Sequence, residues 1–256
     1  MREWAVSILG ADTLDGKLWA PQKLTDFQPG PPMEWNEPTR PTQLRFQKVK
    51  KETKLPPFHD HHKPDSRAAC LHRFAGHELL AVEIMAYALL KFPDAPSHFR
   101  RGLAHTLKEE QEHVRLYLLQ LKRLGVNFGD LPLYRHFWCH TPYLNSPIEY
   151  VSVMSLTFEM ANLDFAPMYG QSFEKYGDTE AGALMARILK DEIAHVSFGW
   201  RWLQKFKSTE LSDWDSWKEA QSPLLTPKRA RGFVIHEEHR KLAGVSPEWI
   251  ENLKSL

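Results

Sequence analysis

The feature that most constrains this chain is a Glu-x-x-His motif that occurs twice, each time within a long stretch of helical sequence. The first copy is Glu110 with His113, and the second is Glu192 with His195. On an α-helix, residues three apart lie on one face, about 4.5 Å apart along the axis. One carboxylate and one imidazole can therefore bind the same metal ion. A single copy is a weak signal because chance produces many, but two copies in matching context are far more specific.

Each copy is preceded by another acidic residue at nearly the same distance. Glu78 stands 32 positions before Glu110, and Glu159 stands 33 positions before Glu192. The two blocks therefore indicate a duplicated helical hairpin. One Glu from each of two helices, with Glu-x-x-His from each of the other two, is the ligand pattern of ferritin-like di-iron and di-manganese carboxylate proteins.

Apolar periodicity and helix-breaking residues predict four long helices, at 65–92, 97–124, 147–176 and 179–206. We expect Asp65 or Ser66 to cap the first of them. Pro93 should end the first helix, and Pro167 should kink or break the third.

The turns between these helices predict which acids face each motif. In an antiparallel pair, positions equidistant from the turn lie opposite each other. This places Glu78 opposite the first Glu-x-x-His, and Glu159 opposite the second. Glu83 fits that geometry less well and stays open as an alternative ligand.

The segment before the first long helix predicts an irregular arm. Residues 1–64 are rich in proline yet too apolar for a disordered tail, and a short helix is expected near 13–18. A basic stretch at 48–54 is expected to be a solvated turn. The connection at 125–146 is long enough to run the length of a bundle, and ferritin-like folds require one such crossover.

The C-terminal segment predicts a cap anchored by Trp214 and Trp217, with short helices near 235–243 and 247–253. The chain as a whole is therefore predicted to be all-α. Its expected parts are a proline-rich wrapping arm at 1–64, a ferritin-like four-helix bundle at 65–206 and a cap at 207–256.

Composition excludes several classes of protein. Of 256 residues, 42% are hydrophobic and 25% are charged, and the formal net charge of +1 gives no strong nucleic-acid or membrane signal. Two cysteines provide no disulfide framework, and the N-terminus lacks the pattern of a signal peptide. No apolar run is long enough to span a bilayer. We therefore expect a cytoplasmic protein.

The predicted ligands are four carboxylates and two imidazoles: Glu78, Glu110, His113, Glu159, Glu192 and His195. An oxygen-rich set with one imidazole per metal suits iron or manganese better than structural zinc. We expect two iron ions, with manganese or a mixed Mn/Fe pair as the alternative. Further acids should orient the histidines. The candidates are Glu83, Glu109, Asp164 and Asp191.

Tyr117 carries a redox hypothesis. It lies four positions after His113, where it resembles the radical tyrosine of the ribonucleotide reductase small subunit, and its equivalent in the second repeat is Gly199. The alternative is an ordinary core tyrosine, and the chain is short for that family.

Longer motifs carry a resemblance to a known family. These are HELLAVE at 77–83, FPDAP at 92–96, FEMANLD at 158–164 and DEIAHVSFGW at 191–200. They resemble a family of ferritin-like proteins of unknown function over nearly the whole chain. The chain is also distantly similar to the ferritin-like tRNA hydroxylases, which use a comparable di-iron site to hydroxylate an alkylated adenosine. The resemblance implies a fold and a metal site, but no settled reaction.

The leading hypothesis is a di-iron oxygenase or oxidase that uses O2 as co-substrate to hydroxylate or oxidise an organic substrate. That substrate would be a small molecule or a modified nucleoside. An electron-donor protein is a candidate partner, and a homodimer is compatible with the sequence. One alternative is a ferritin-like iron oxidase or storage protein, although the arm and cap would cover a cage-forming exterior. Another is a non-catalytic, metal-stabilised interaction module.

Overall fold

The computed structural model describes residues 1–47 and 53–256. Across these ranges the chain is helical, with an isolated β-bridge between Phe46 and Leu133 and no β-strand. The all-α prediction is confirmed. None of the described helices combines the length and apolar character that crossing a membrane requires. The solvated turn predicted at 48–54 falls largely outside the described residues.

The chain divides into two compact units. The first comprises Met1–Thr141 and Tyr176–Glu180, and the second comprises Pro142–Lys175 and Ala181–Leu256. Each unit contains one of the two predicted ligand hairpins. The arm, bundle and cap describe a different division, which stays a prediction.

The arm of the first unit begins with two short helices, α1 (Arg2–Gly10) and α2 (Leu14–Leu18). The position of α2 agrees with the predicted short helix, whereas α1 was not predicted. One face of α1 is apolar and buried, and it packs on the long helix α3 (Pro64–Lys91). The residues on that face are Trp4, Ala5, Ile8 and Leu9.

An antiparallel hairpin of α3 and α4 (Ser97–Arg123) forms the centre of the first unit. The rings of Phe74 and Tyr117 lie 6.1 Å apart, and Arg100 Nη1 donates a 2.7 Å hydrogen bond to the Leu89 carbonyl. The two residues of each pair are nearly equidistant from the turn at 92–96, as expected for an antiparallel pair of helices.

The start of α3 corrects one prediction. The helix begins at Pro64, and Lys63 occupies the N-cap position without a side-chain cap hydrogen bond. The expected caps, Asp65 and Ser66, lie inside the first turn instead. Proline is suited to the first helical position because the N–H it lacks would have no helical acceptor there.

The connection after α4 follows α3. The Gly129 N–H donates a 2.9 Å hydrogen bond to His72 Nε2, and farther along the ring of Trp138 lies 5.7 Å from that of Tyr87. The earlier residue of the connection contacts the earlier residue of α3, and the later residue contacts the later one. Residues 129–138 therefore run parallel to α3.

The second unit contains an interrupted helix and a continuous one. The interrupted helix consists of α5 (Pro147–Val153), a π-helical turn (Met154–Glu159) and α6 (Met160–Lys175). The continuous helix is α7 (Thr179–Phe206). Pro167 was predicted to kink or break the third helix, and a break at this residue was wrong, whereas the kink stays a prediction. Pro167 lies inside α6, and the α-helical hydrogen bonding changes earlier, at the π turn.

The interrupted helix and α7 are antiparallel. Asn162 Nδ2 donates a 2.8 Å hydrogen bond to Glu192 Oε1, and a Cβ built on Gly199 would lie 2.2 Å from the Cβ of Ser155. Both pairs are symmetric about Gly177, which has a positive φ of 83°. Glycine adopts this left-handed conformation readily because it has no Cβ.

The cap of the second unit contains α8 (Asp213–Glu219), α9 (Glu237–Leu242) and α10 (Pro247–Lys254). Two of these lie close to the predicted short helices, and α8 carries the predicted anchors Trp214 and Trp217. The ring of Trp217 lies 4.9 Å from that of Trp214 and 4.9 Å from that of Trp249. Short 3₁₀ turns lie at Thr42–Leu44, Phe58–His62, Trp138–Tyr143 and Pro227–Ala230.

Candidate metal centre

The α3–α4 hairpin brings three of the predicted ligands together. One ligand atom from each of Glu78, Glu110 and His113 lies within 4.8 Å of the other two. All three residues are buried, with exposed fractions of 6%, 1% and 0%. The His113 Nδ1 atom is 3.2 Å from Glu110 Oε2, as the spacing of three on one helix allows. The hairpin therefore converges two carboxylates and an imidazole in its interior.

The electrostatics of this triad favour a bound cation. Two carboxylates close together in a buried setting repel each other, and each has lost most of its hydration. A divalent ion between them would offset both costs. Two oxygen donors and one imidazole nitrogen form a set that suits iron or manganese. Glu78, Glu110 and His113 thus fit the predicted metal on the chemistry of the donors.

The second unit carries the equivalent residues. Glu159, Glu192 and His195 are buried, with exposed fractions of 5%, 1% and 1%. A carboxylate oxygen of Glu159 and a ring nitrogen of His195 lie within 4.8 Å of each other. His195 Nδ1 lies 3.8 Å from Glu192 Oε2, and Asn162 donates to the other oxygen of Glu192. Each unit therefore presents two carboxylates and one imidazole from neighbouring helices.

Glu83 has a different set of contacts from Glu78. Its carboxylate is fully buried and accepts a 3.0 Å hydrogen bond from Arg40 Nε, and Lys17 Nζ lies 3.0 Å away. Burial lowers the pKa of Lys17, whereas the adjacent Glu83 raises it. Of the two acids left open for the first helix, Glu78 joins the triad and Glu83 binds two cations of the arm.

Asp164 repeats this arrangement in the second unit. It is fully buried, and it accepts hydrogen bonds from Arg240 Nη1 at 2.7 Å and Nη2 at 2.8 Å. The backbone N–H groups of Gly232 and His236 donate to the same carboxylate at 2.9 and 2.7 Å. Glu83 therefore anchors the arm in the first unit, and Asp164 anchors the cap in the second.

The other two acids proposed to orient the histidines lie nearer the surface. Glu109 is exposed. Asp191 is half-buried and accepts a 2.8 Å hydrogen bond from Arg187 Nε, one turn earlier on α7. Their role toward the histidines stays a prediction.

Tyr117 is buried, with 1% of its surface exposed, and it packs edge-on against Phe74. Its equivalent, Gly199, lies against Ser155. Tyr117 is therefore an interior residue one turn from His113, and its redox role stays a prediction.

Comparison with known proteins gives a family. The profile described as "Protein of unknown function (DUF455)" matches residues 10–251. The chain belongs to this family. It is also 29% identical, over 143 residues, to an uncharacterized protein of Haemophilus influenzae. That alignment covers 53% of this chain and 50% of the relative, so the chain spans about half the length of the relative it matches. No solved structure matches the chain.

Several residues that contact the candidate ligands or the acids near them in this DUF455 protein were not picked out by sequence reasoning. Asn162 could have been found, because it lies three positions after Glu159 and so shares a helix face with it. Arg40 and Arg240 have no such local signal. Their roles depend on where the arm and the cap fold back, which spacing along the helices does not reveal.

Proposed function

We propose that the two Glu-x-x-His hairpins together hold a pair of metal ions in a ferritin-like four-helix bundle. We further propose that the protein is an O2-dependent oxidoreductase of the hydroxylase or oxidase type. The observation that carries the proposal is the convergence of three buried ligand side chains in one hairpin, Glu78, Glu110 and His113. The sequence repeat supports it, because the second hairpin carries the same ligand types at the equivalent positions: Glu159, Glu192 and His195.

The proposed ions are two irons, or manganese in one or both positions, and they would supply O2 binding and redox chemistry. The chain's own part is to hold and shield them. Four carboxylates would balance the charge of the ions, and the two imidazoles would each hold one of them. The hydrogen bond from Asn162 restrains the Glu192 carboxylate, and metal ligands are commonly oriented by such partners. The burial of all six ligands keeps bulk water away from the reacting centre.

The proposed substrate is an organic molecule, either a small molecule or a modified nucleoside. A net charge of +1 gives little attraction for a long nucleic acid, which favours the smaller substrates. An electron-donor protein would return the site to its reduced form. The cytoplasmic location and a homodimer stay predictions from the sequence.

O2 uptake by iron-loaded protein tests the proposal. Protein loaded anaerobically with Fe(II) should consume O2 on mixing, and Glu110→Ala should abolish this uptake because it removes a carboxylate of the triad. Glu112→Ala is the matched control, since Glu112 lies on the same helix with half of its side chain exposed. It should consume O2 as the wild type does.

Two outcomes would contradict parts of this account. Tight iron binding without O2 uptake would contradict the oxidoreductase and favour a metal-stabilised interaction module. A very large particle in size-exclusion chromatography, together with iron accumulation, would favour a storage protein instead.

A further inference from the structure

The π turn before Glu159 is held by side chains from the cap. The carbonyl oxygen of Ser152, just before the turn, accepts three side-chain hydrogen bonds. They come from Thr157 Oγ1 at 2.7 Å, Trp217 Nε1 at 3.2 Å and Gln221 Nε2 at 3.1 Å. Ser152, Thr157 and Trp217 are all fully buried. Trp217 lies in α8 and Gln221 follows its end, so one segment of the cap supplies two of the three donors.

A π turn needs such support. In an α-helix each carbonyl accepts from the N–H four residues later, whereas in a π turn the acceptor and donor are five residues apart. The wider turn is rarely stable alone, and it occurs mostly as a single turn inside an α-helix. At Ser152, the cap supplies donors where the regular helical ladder changes.

The turn decides where Glu159 points. One extra residue within a turn changes the direction of all later side chains by about 100°, the rotation that one α-helical residue contributes. Glu159 is the last residue of the turn. If the segment became a regular α-helix, the Glu159 carboxylate would leave its place near His195.

We infer that Trp217 and Gln221 are positioning residues for Glu159. They hold the π turn through the Ser152 carbonyl, and the turn aims the carboxylate. The inference deepens the proposed function and rests on it where Glu159 is taken as a metal ligand. The cap is then part of the metal site's construction, although neither side chain is a ligand.

Two variants remove one donor each. Trp217→Phe deletes the indole N–H and keeps an aromatic ring, and Gln221→Leu deletes the amide and keeps much of the volume. Trp249→Phe is the matched control. Trp249 lies in the same aromatic cluster and is equally buried, but its indole N–H makes no hydrogen bond among the described residues.

Amide hydrogen exchange of the metal-free protein tests whether the cap holds the turn. Peptides covering 152–163 should exchange about tenfold faster in Trp217→Phe and Gln221→Leu, since each variant loses a hydrogen bond to the buried Ser152 carbonyl. The same peptides should be unchanged in Trp249→Phe. Equal acceleration in all three variants, or in none, would overturn the inference.

Titration with Mn(II) tests whether the turn serves the metal site. The wild type should bind two Mn(II) ions. Each of the two donor variants should bind one of these ions about tenfold more weakly, as loss of a partner that orients a ligand commonly causes. Faster exchange with unchanged metal affinity would overturn the link to Glu159. Absence of metal from the wild type would overturn the proposed function, while the exchange rates would still decide whether the two side chains hold the turn.

Discussion

Glu83 and Asp164 occupy equivalent positions in the two repeats, and each is buried against an arginine from outside the ligand helices. The arginine is Arg40 of the arm in one unit and Arg240 of the cap in the other. A buried ion pair is by itself weak evidence for net stabilisation, because both charges have lost their hydration. Removing one partner is costly, since it leaves the other charge buried and uncompensated.

Replacing Arg240 should therefore destabilise the protein strongly. We expect Arg240→Met to lower the free energy of unfolding by about 3–5 kcal/mol, because Asp164 would keep its burial and lose its cation. Urea denaturation measures this directly. Lys241→Met is the control, since the neighbouring Lys241 pairs with the exposed Glu238 and should matter little. Equal losses in the two variants would contradict the role given to the buried pair.

The buried His72 predicts how the stability of the fold depends on pH. Burial lowers its pKa from 6.5 to about 4. Its Nε2 accepts the Gly129 N–H, so the neutral ring is the form the fold requires. The unfolded chain then takes up a proton before the folded chain does. Stability is fully present above about pH 6.5 and should decline as the pH falls toward 4, by roughly 3 kcal/mol from this residue.

The variant His72→Gln isolates that contribution. A glutamine oxygen can still accept the hydrogen bond, but it does not titrate in this range. Urea midpoints measured between pH 7 and pH 4.5 should fall less steeply in His72→Gln than in the wild type. Parallel pH profiles would show that His72 is not the responsible group.

At the scale of helices, the two hairpins have diverged at one pair of equivalent positions. In the first hairpin Phe74 packs against Tyr117, with ring centres 6.1 Å apart. In the second, Ser155 of the π turn lies against Gly199 of α7. The small pair lets the widened turn approach α7 closely. The absence of a second tyrosine thus has a packing reason.

Adding a methyl group at this contact should be destabilising. A Cβ on Gly199 would lie 2.2 Å from Ser155 Cβ, so one of the helices must shift. We expect Gly199→Ala to cost about 1–3 kcal/mol of stability, the usual range for overpacking. Adding Ser155→Gly should recover part of this loss, which thermal unfolding of the single and double variants would measure. An unaffected melting temperature in Gly199→Ala would contradict the close approach.

The long helices were predictable because their signals are local. Proline, glycine and apolar spacing define the segments around Pro93 and Gly177 without knowledge of the tertiary fold. The helix α1 was missed because the proline-rich composition of the arm outweighed its own apolar spacing. The π turn was not predictable, since its donors Trp217 and Gln221 stand 65 and 69 positions from Ser152.

For the whole molecule, the candidate ligands could be chosen from the sequence, whereas the long-range contacts around them could not. The duplicated motif identified the candidate ligands from spacing alone, and the turn midpoints favoured Glu78 over Glu83. The ion pairs of Arg40 and Arg240 depend on how the arm and the cap fold back. Such contacts join distant parts of the sequence, and no periodicity reports them.

The central claim is that the duplicated hairpins hold two metal ions, and metal content per chain tests it most directly. Mass spectrometry of protein grown with iron and manganese should find about two such ions per chain in the wild type. Glu110→Ala and Glu192→Ala should each lose metal. The controls Glu112→Ala and Glu180→Ala change exposed acids of the same two helices and should retain it. No bound transition metal in the wild type, or metal unaffected by both ligand variants, would contradict the account.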